Sequence, residues 1–279
     1  MTKTLLLLSV FSSILAYSQE DLLKDIDTIQ TTQNNPPAFK ALQIVTGQST
    51  KLTAKNDWYM VVAHRFGDVS MGFKNFFGLD EASTKLGVIY GLTDGLSLSL
   101  SRETNMKTFE LGAKYSILKQ GDNFPVDIVG YHVAGLNTAF DKDNYPYLKF
   151  GDRLSYLSQA LISKRFNDEF SLQLTPSYVH KNLYEPTIED NNQFLAGLGG
   201  RYKISKRISI NAEYFVNFDS HSFYKNPLSV GMDIETGGHV FQLLFSNSQL
   251  NSDIGYLTNA TGKWEKGQIF FGFNLYRVF

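Results

Sequence analysis

The feature that most constrains this chain is a period of two that runs from Asp57 to its last residue. Leu96, Leu98 and Leu100 alternate with Ser97, Ser99 and Ser101. Phe109, Leu111, Ala113, Tyr115 and Ile117 alternate with Thr108, Glu110, Gly112, Lys114 and Ser116. Ile208, Ile210, Ala212, Tyr214 and Val216 oppose Ser209, Asn211, Glu213 and Asn217, with Phe215 as the exception. Leu228, Val230, Met232 and Ile234 oppose Ser229, Gly231, Asp233 and Glu235. The final stretch, Gly267 to Phe279, puts Ile269, Phe271, Phe273, Leu275 and Arg277 on one face and Gln268, Phe270, Gly272, Asn274, Tyr276 and Val278 on the other. Successive strand side chains point to opposite faces, so each stretch reads as a strand with one apolar side.

Applied along the chain, the pattern predicts strands at 57–66, 82–91, 95–102, 108–118, 125–135, 153–166, 169–181, 191–204, 207–217, 227–236, 238–247 and 267–279. Strands 57–66 and 125–135 are apolar on both faces, so their orientation is not readable. Connection lengths add independent information. Long connections at 67–81, 136–152, 182–190, 218–226 and 248–266 alternate with tight ones at 92–94, 167–168, 205–206 and 237, while 103–107 and 119–124 are of middling length. Tight turns at one end and extended loops at the other are the signature of single-chain outer-membrane barrels. The expected fold is all-β, a transmembrane antiparallel β-barrel of about twelve strands; ten or fourteen also fit. A large exported β-sandwich would explain the alternation. It does not predict the loop asymmetry.

Composition agrees with a barrel. The chain has 279 residues, with 22 Phe, 15 Tyr and 22 Gly, yet its mean hydropathy is slightly negative, −0.18. Spanning helices would raise that value, whereas alternation dilutes an apolar face by half. Residues 1–18 read as a secretory signal. Lys3 supplies the charge, Leu5 to Ala16 the apolar run, and Ala16-Tyr17-Ser18 the cleavage site before Gln19. The run is shorter than the roughly 20 residues a spanning helix needs. Residues 19–56 form an N-terminal periplasmic or plug segment. It has a possible short helix at Asp21 to Ile29, a breaker at Asn34-Asn35-Pro36-Pro37, and a candidate extra strand at Ala41 to Thr46 kept out of the barrel wall. The barrel takes 57–279. The formal charge of −1 becomes −2 once residues 1–18, with one Lys and no acid, are removed. No field for nucleic acid follows. With no Cys there is neither a disulfide nor a lipid-anchored N-terminus.

The closing strand, ending in Phe279, resembles the last strand of bacterial outer-membrane barrels, which the barrel-assembly machinery reads; Arg277 stands where such strands usually carry an aromatic residue. A wider likeness rests on Ala38-Phe39-Lys40, Gly47-Gln48-Ser49, His64-Arg65-Phe66-Gly67, Phe77-Gly78-Leu79-Asp80, Leu86-Gly87-Val88-Ile89-Tyr90-Gly91 and Leu118-Lys119-Gln120. With these the chain resembles an uncharacterised domain-of-unknown-function family of outer-membrane β-barrels typical of Bacteroidota. His64-Arg65-Phe66-Gly67 followed by Gly78-Leu79-Asp80 is the most specific combination. The resemblance implies an exported barrel in the outer membrane of a gram-negative bacterium. It implies no substrate and no catalytic residues.

No constellation for chemistry stands out. The five His residues, His64, His132, His180, His221 and His239, never have Ser two positions later, and His221-Ser222 would put the two side chains on opposite faces. No His pair has metal-ligand spacing. Asp141-Lys142-Asp143-Asn144 lacks a full calcium ligand set. Gly197-Leu198-Gly199-Gly200 lies in a strand, where Gly marks close packing or a bend. Arg65 is expected to face the lumen or a loop carboxylate such as Asp68 or Asp80, or to close the strand end with Gly67 at the turn. The candidate lumen-lining charges are Lys85, Glu110, Lys114, Arg153, Arg165, Arg201, Lys203, Glu213, Asp233 and Glu235. They either line an aqueous path or pair across the interior and plug it. Trp58, Tyr90, Tyr115, Phe166, Phe170, Tyr178, Tyr202, Tyr214, Phe241 and Phe245 are candidates for interfacial girdles. The expected role is a small channel or passive transporter for polar solutes, without cofactor or enzymatic activity. A non-conducting display or anchoring barrel, and a barrel enzyme, are the alternatives.

Overall fold

Alternating faces need a closed sheet if the apolar side is to meet lipid with no unpaired backbone. The computed structural model, which describes residues 36–279 apart from 122, 141–142, 220–221 and 237–238, has that closure. Among the described residues twelve strands are present: β1 Trp58–Asp68, β2 Ala82–Thr93, β3 Leu96–Glu103, β4 Thr108–Leu118, β5 Asp127–Asn137, β6 Leu154–Arg165, β7 Phe170–Lys181, β8 Asn192–Lys203, β9 Ile208–Asn217, β10 Leu228–Thr236, β11 His239–Ser246 and β12 Phe270–Val278. Each pairs with the next, and β12 returns to β1 to complete the cylinder. That seam runs antiparallel from Tyr59↔Val278 to Arg65↔Gly272, with a register shift before Asp68. Beyond it Trp58 and Phe279 exchange backbone hydrogen bonds, and their rings stack at 4.2 Å. Residues 1–35, with the expected signal and short helix, lie outside the described residues.

The faces divide as the alternation predicts. Leu86, Val88, Leu98, Leu100, Leu111, Leu198 and Ile210 are exposed on the outer wall, whereas Ser97, Ser209, Asn211, Ser229, Gln242 and Asn274 are buried inside. Trp58, Tyr90, Phe166, Tyr202 and Phe279 project outward near the tight-turn end, where aromatic rings suit a membrane boundary. Arg277 is exposed there, its guanidinium 4.6 Å from the Phe279 ring centre. The aliphatic stem thus lies along the apolar rim while the charge reaches the boundary. Pro176 interrupts β7 without ending it. It lacks an N–H, and the β6–β7 register skips from Gln159↔Ser177 to Ile162↔Leu174.

Two inserts fill the interior, and they explain why β1 and β5 are apolar on both faces. At the long-loop end, the segment between β11 and β12 folds inward and forms a short helix, α1, Asp253–Thr258. Ile254, Tyr256 and Leu257 of α1 pack on the inner faces of β5 to β9, against Val129, Tyr131, Val133, Leu157, Leu161, Val179, Leu195 and Phe215. Each such burial contributes roughly 1.5–3 kcal/mol relative to exposure. Phe215, the break in its strand's alternation, points inward and meets Tyr256 edge to face at 5.9 Å. Gly197 makes that possible: a Cβ there would sit 2.2 Å from the Phe215 ring.

From the tight-turn end, residues 36–57 rise into the lumen and turn back. Ala41 to Thr46 is not a strand. Its only pairing is an isolated bridge between Gln43 and Gln48, around a turn in which Ile44 N–H donates to Gly47 O at 2.8 Å. Ala38, Phe39, Ile44 and Val45 pack against Leu244, and Leu42 against Val61 and Tyr276. The segment leaves past Gly91, where Asn56 N–H donates to Gly91 O and Gly91 N–H to Asp57 O. A Cβ on Gly91 would fall 1.8 Å from Ala54 O.

Candidate functional site

The strand alternation aims ionisable groups at this filled interior. Low-dielectric surroundings demand a partner for each. Glu213 of β9 meets the demand most fully. Its carboxylate accepts from Thr46 N–H (2.7 Å), Gly47 N–H (2.8 Å) and Val45 N–H (3.4 Å) of the N-terminal insert. It also accepts from the Tyr256 hydroxyl of α1 at 2.8 Å. One side chain of the wall therefore holds both inserts. Across the lumen Lys114 of β4 donates to the carbonyls of Leu42 (3.2 Å), Ser49 (3.1 Å) and Lys51 (3.4 Å).

A second junction surrounds the first residue of α1. Asp253 accepts from Tyr131 OH at 2.7 Å and from Gln48 Nε2 at 3.1 Å, and its carboxylate lies 3.5 Å from the Lys85 ammonium. Lys85 pairs with Glu110 at 2.7 Å, and Glu110 in turn accepts from Ile254 N–H at 3.3 Å. Gln48 to Asp253 is a direct contact between the two inserts. Glu103 fixes the same loop by accepting from Asn251 N–H.

The remaining charges divide by height. Arg201 and Glu235 pair at 2.8 Å, and Lys40 reaches Glu235 at 2.6 Å, near the tight-turn end. Asp233 accepts from Gln242, whose Nε2 also lies within reach of Gln43 O and Ile44 O. Arg165 is engaged locally with Asp168 and Lys203 is only half-buried at the end of β8; neither joins the mid-lumen junctions. Arg153 precedes β6 in the 3-10 turn Gly151–Arg153, at the opposite end of the molecule. Burial lowers the Lys51 ammonium from its ordinary value, with Asp57 opposing the shift.

The motif residues take structural positions. Arg65 lies within β1 rather than at its end and points inward, fully buried. It donates to Asn274 Oδ1 (2.9 Å) and to Thr46 Oγ1 (3.2 Å), so it too grips the N-terminal insert. Neither Asp68 nor Asp80 is its partner. His64 contacts Thr84 Oγ1 at 2.9 Å and stacks beside Phe273, and Phe66 stacks on Phe271. Gly67 and Gly78 form the neck of the loop that follows β1. Gly78 has φ +86°, and a Cβ there would meet Gly67 O at 2.3 Å. Leu79 and Asp80 are exposed beyond the neck.

Several residues of the junctions carry no sequence signal strong enough to single them out: Tyr131, Gln242, Asp253, Tyr256 and Asn274. Gln242 and Asn274 do occupy polar positions of alternating strands. Asp253 and Tyr256 sit in a long loop with no period. Among the described residues no group of three metal-ligating side chains occurs. Asp141, Lys142 and His221 lie outside them.

Among the described residues, two cavities border these junctions. A small one of about 50 Å³ lies between the N-terminal insert and β1 to β5, bordered by Gln48, Lys51, Lys85, Glu110, Lys114 and Asp253. A vestibule of about 630 Å³ opens at the long-loop end. Asp253 borders the first, while Ser252, Ile254 and Gly255 border the second. The start of α1 is thus the septum between them.

A closed antiparallel cylinder with an apolar outer belt, aromatic rims and a polar, filled interior defines a membrane-spanning β-barrel. Residues 39–279 match the family model described as membrane bound beta barrel domain (DUF5777), and the chain belongs to that family. Among curated proteins, none matches it. Solved structures with the same fold include the NanC porin, at 10% identity and TM-score 0.50 over 79% of this chain and 98% of that one. The KdgM porin aligns at 11% identity and TM-score 0.51, over 79% and 99%. The KdgM porin in complex with disordered oligogalacturonate gives the same figures. At these identities the likeness shows the fold alone.

Proposed function

We propose that this chain is a passive outer-membrane channel for small polar solutes, closed at rest by its two inserts. The observation that carries the reading is the character of the mid-lumen junction. Glu213, Lys114, Lys85 and Asp253 hold the inserts through hydrogen bonds and ion pairs to a polar wall. Such contacts exchange for water as a segment withdraws, whereas an apolar lumen would resist wetting. No Cys is available to lock either insert covalently. The oligogalacturonate complex of the KdgM porin makes acidic oligosaccharides a first class of solute to try. On this reading the signal is cleaved before Gln19, Phe279 is read by the assembly machinery, the long loops face outward and the bacterium is gram-negative. The barrel is non-catalytic.

Planar-bilayer recording tests the proposal. The full mature chain should give discrete, infrequent conductance steps, and a chain lacking residues 36–56 should give larger and longer ones. Silence from both, with the barrel intact, favours the second reading, a sealed barrel that displays its loops; the packed lumen is the observation on its side.

A further inference from the structure

We propose that the loop between β1 and β2, Val69–Gly78, is seated in the membrane, its phenylalanines among the acyl chains of the leaflet on the long-loop side. Met71, Phe73, Phe76, Phe77 and Leu79 are all exposed, Phe73 by 85%. The Phe73 and Phe77 rings lie 4.8 Å apart, so the apolar surface is continuous there. A patch of this kind marks a partner or a membrane. The backbone adds to the point. Phe76 and Phe77 stand at φ +40° and +55°, a left-handed conformation that is costly for bulky residues. Neither ring is buried within the chain, so the fold itself draws no apolar burial from that strain.

Height and continuity identify the partner as lipid. Strand residues rise about 3.3 Å each, and at a tilt near 40° they climb about 2.5 Å along the membrane normal. The roughly 25 Å apolar band that starts at the Trp58 rim therefore ends about ten residues on, at Asp68, where the loop begins. Val69 N–H donates to Ile269 O at 2.9 Å, and the loop packs on β1 and β12, so it stays beside the wall. On the outer face just before it, Phe66 stacks on Phe271 at 5.6 Å, and Phe271 meets Phe245 at 5.3 Å. The rings of the loop extend that lipid-facing aromatic edge. No residue of 69–78 borders the vestibule, so the loop does not line the mouth. Lys74, exposed between Phe73 and Phe76, completes the pattern. Its stem lies along inserted rings while its ammonium reaches the lipid phosphates.

The chain has no Cys, so one introduced thiol carries a label at a chosen place. The full mature protein with Met71→Cys bears a bimane fluorophore and is placed in phosphatidylcholine vesicles with or without brominated acyl chains. A label roughly 5–10 Å into the boundary should lose at least about half its emission in brominated lipid and respond little to aqueous iodide. The same label at Tyr147→Cys, on the exposed β5–β6 loop, should show the reverse. Adding Phe73→Ser and Phe77→Ser to the Met71→Cys chain should cut the bromine quenching and open the label to iodide. Unheated gel mobility shows that each variant forms the barrel; if the double Ser variant does not, Phe73→Ser alone decides. Iodide quenching without bromine quenching puts the loop in water and overturns the proposal. A response to neither quencher also overturns it, by placing the loop against a second copy of the chain or another protein. Equal bromine quenching at both label positions, or quenching undiminished by the Ser substitutions, takes the anchor away from these phenylalanines. The readout is independent of conductance.

Discussion

At the scale of single residues, Glu213 is the position where most donors converge. Four of them, three backbone N–H groups and a phenol, end on one carboxylate. Glu213→Ala removes the acceptor and leaves those groups buried with nothing opposite, at about 1–3 kcal/mol for each unsatisfied group. Relief comes from withdrawal of residues 36–57, since water can then replace the carboxylate. Limited trypsin digestion in detergent should cut at Lys51 and Lys55 markedly faster in Glu213→Ala than in the unaltered protein, with Glu213→Gln in between. Protection as complete in the Ala variant would show that the apolar contacts of Phe39, Ile44 and Leu42 hold the insert unaided. Alternation alone put Glu213 among the polar positions of its strand. Its partners were not legible, because Thr46 and Glu213 are 167 residues apart and nothing local links them.

At the scale of elements, Gly91 and the N-terminal insert make a separable pair. Gly91 lies in β2, but what requires its missing side chain is the carbonyl of Ala54, 1.8 Å from where a Cβ would be. Gly91→Ala should therefore unseat the exit of the insert without disturbing the outer face of β2. The expected outcome is a barrel of unchanged thermal unfolding on gels but raised conductance and faster cleavage at Lys55. Unchanged cleavage would place the flexibility elsewhere in 51–57. The same element explains which strands could be oriented from sequence and which could not. β3, β4 and β10 have a polar inner face and an apolar outer one, so their direction was plain. β5 has Val129, Tyr131 and Val133 inside because α1 covers them, and a two-sided apolar strand has no readable direction. The candidate strand at 41–46, kept out of the wall from the start, does not form for a related reason. Its backbone groups are taken by Glu213, Lys114 and Gln242 side chains rather than by a neighbouring strand.

At the scale of the whole molecule, closure depends on the β1–β12 seam, which brings the two ends of the wall together. Phe279 adds its ring to Trp58 at 4.2 Å and lies under Arg277 at 4.6 Å. An aromatic pair of this kind contributes about 0.5–1.5 kcal/mol beyond its buried area. Phe279→Ala should lower the temperature at which the unheated, folded gel band converts to the boiled position, and Phe279→Leu should lower it less. Identical conversion in all three would mean that backbone pairing alone carries the seam.

What sequence alone determined about this protein is the wall: about twelve alternating strands, the inner and outer faces of most of them, and the tight and long ends. Those properties have a period of two or a length, and both are local. What only the tertiary structure decided is the content of the cylinder. Asn274 reaches Val45 across 229 residues, and Asp253 joins Gln48 across 205. Such contacts have no period, because a side chain aimed into a lumen looks the same in sequence whether it meets water, a plug or a folded-in loop.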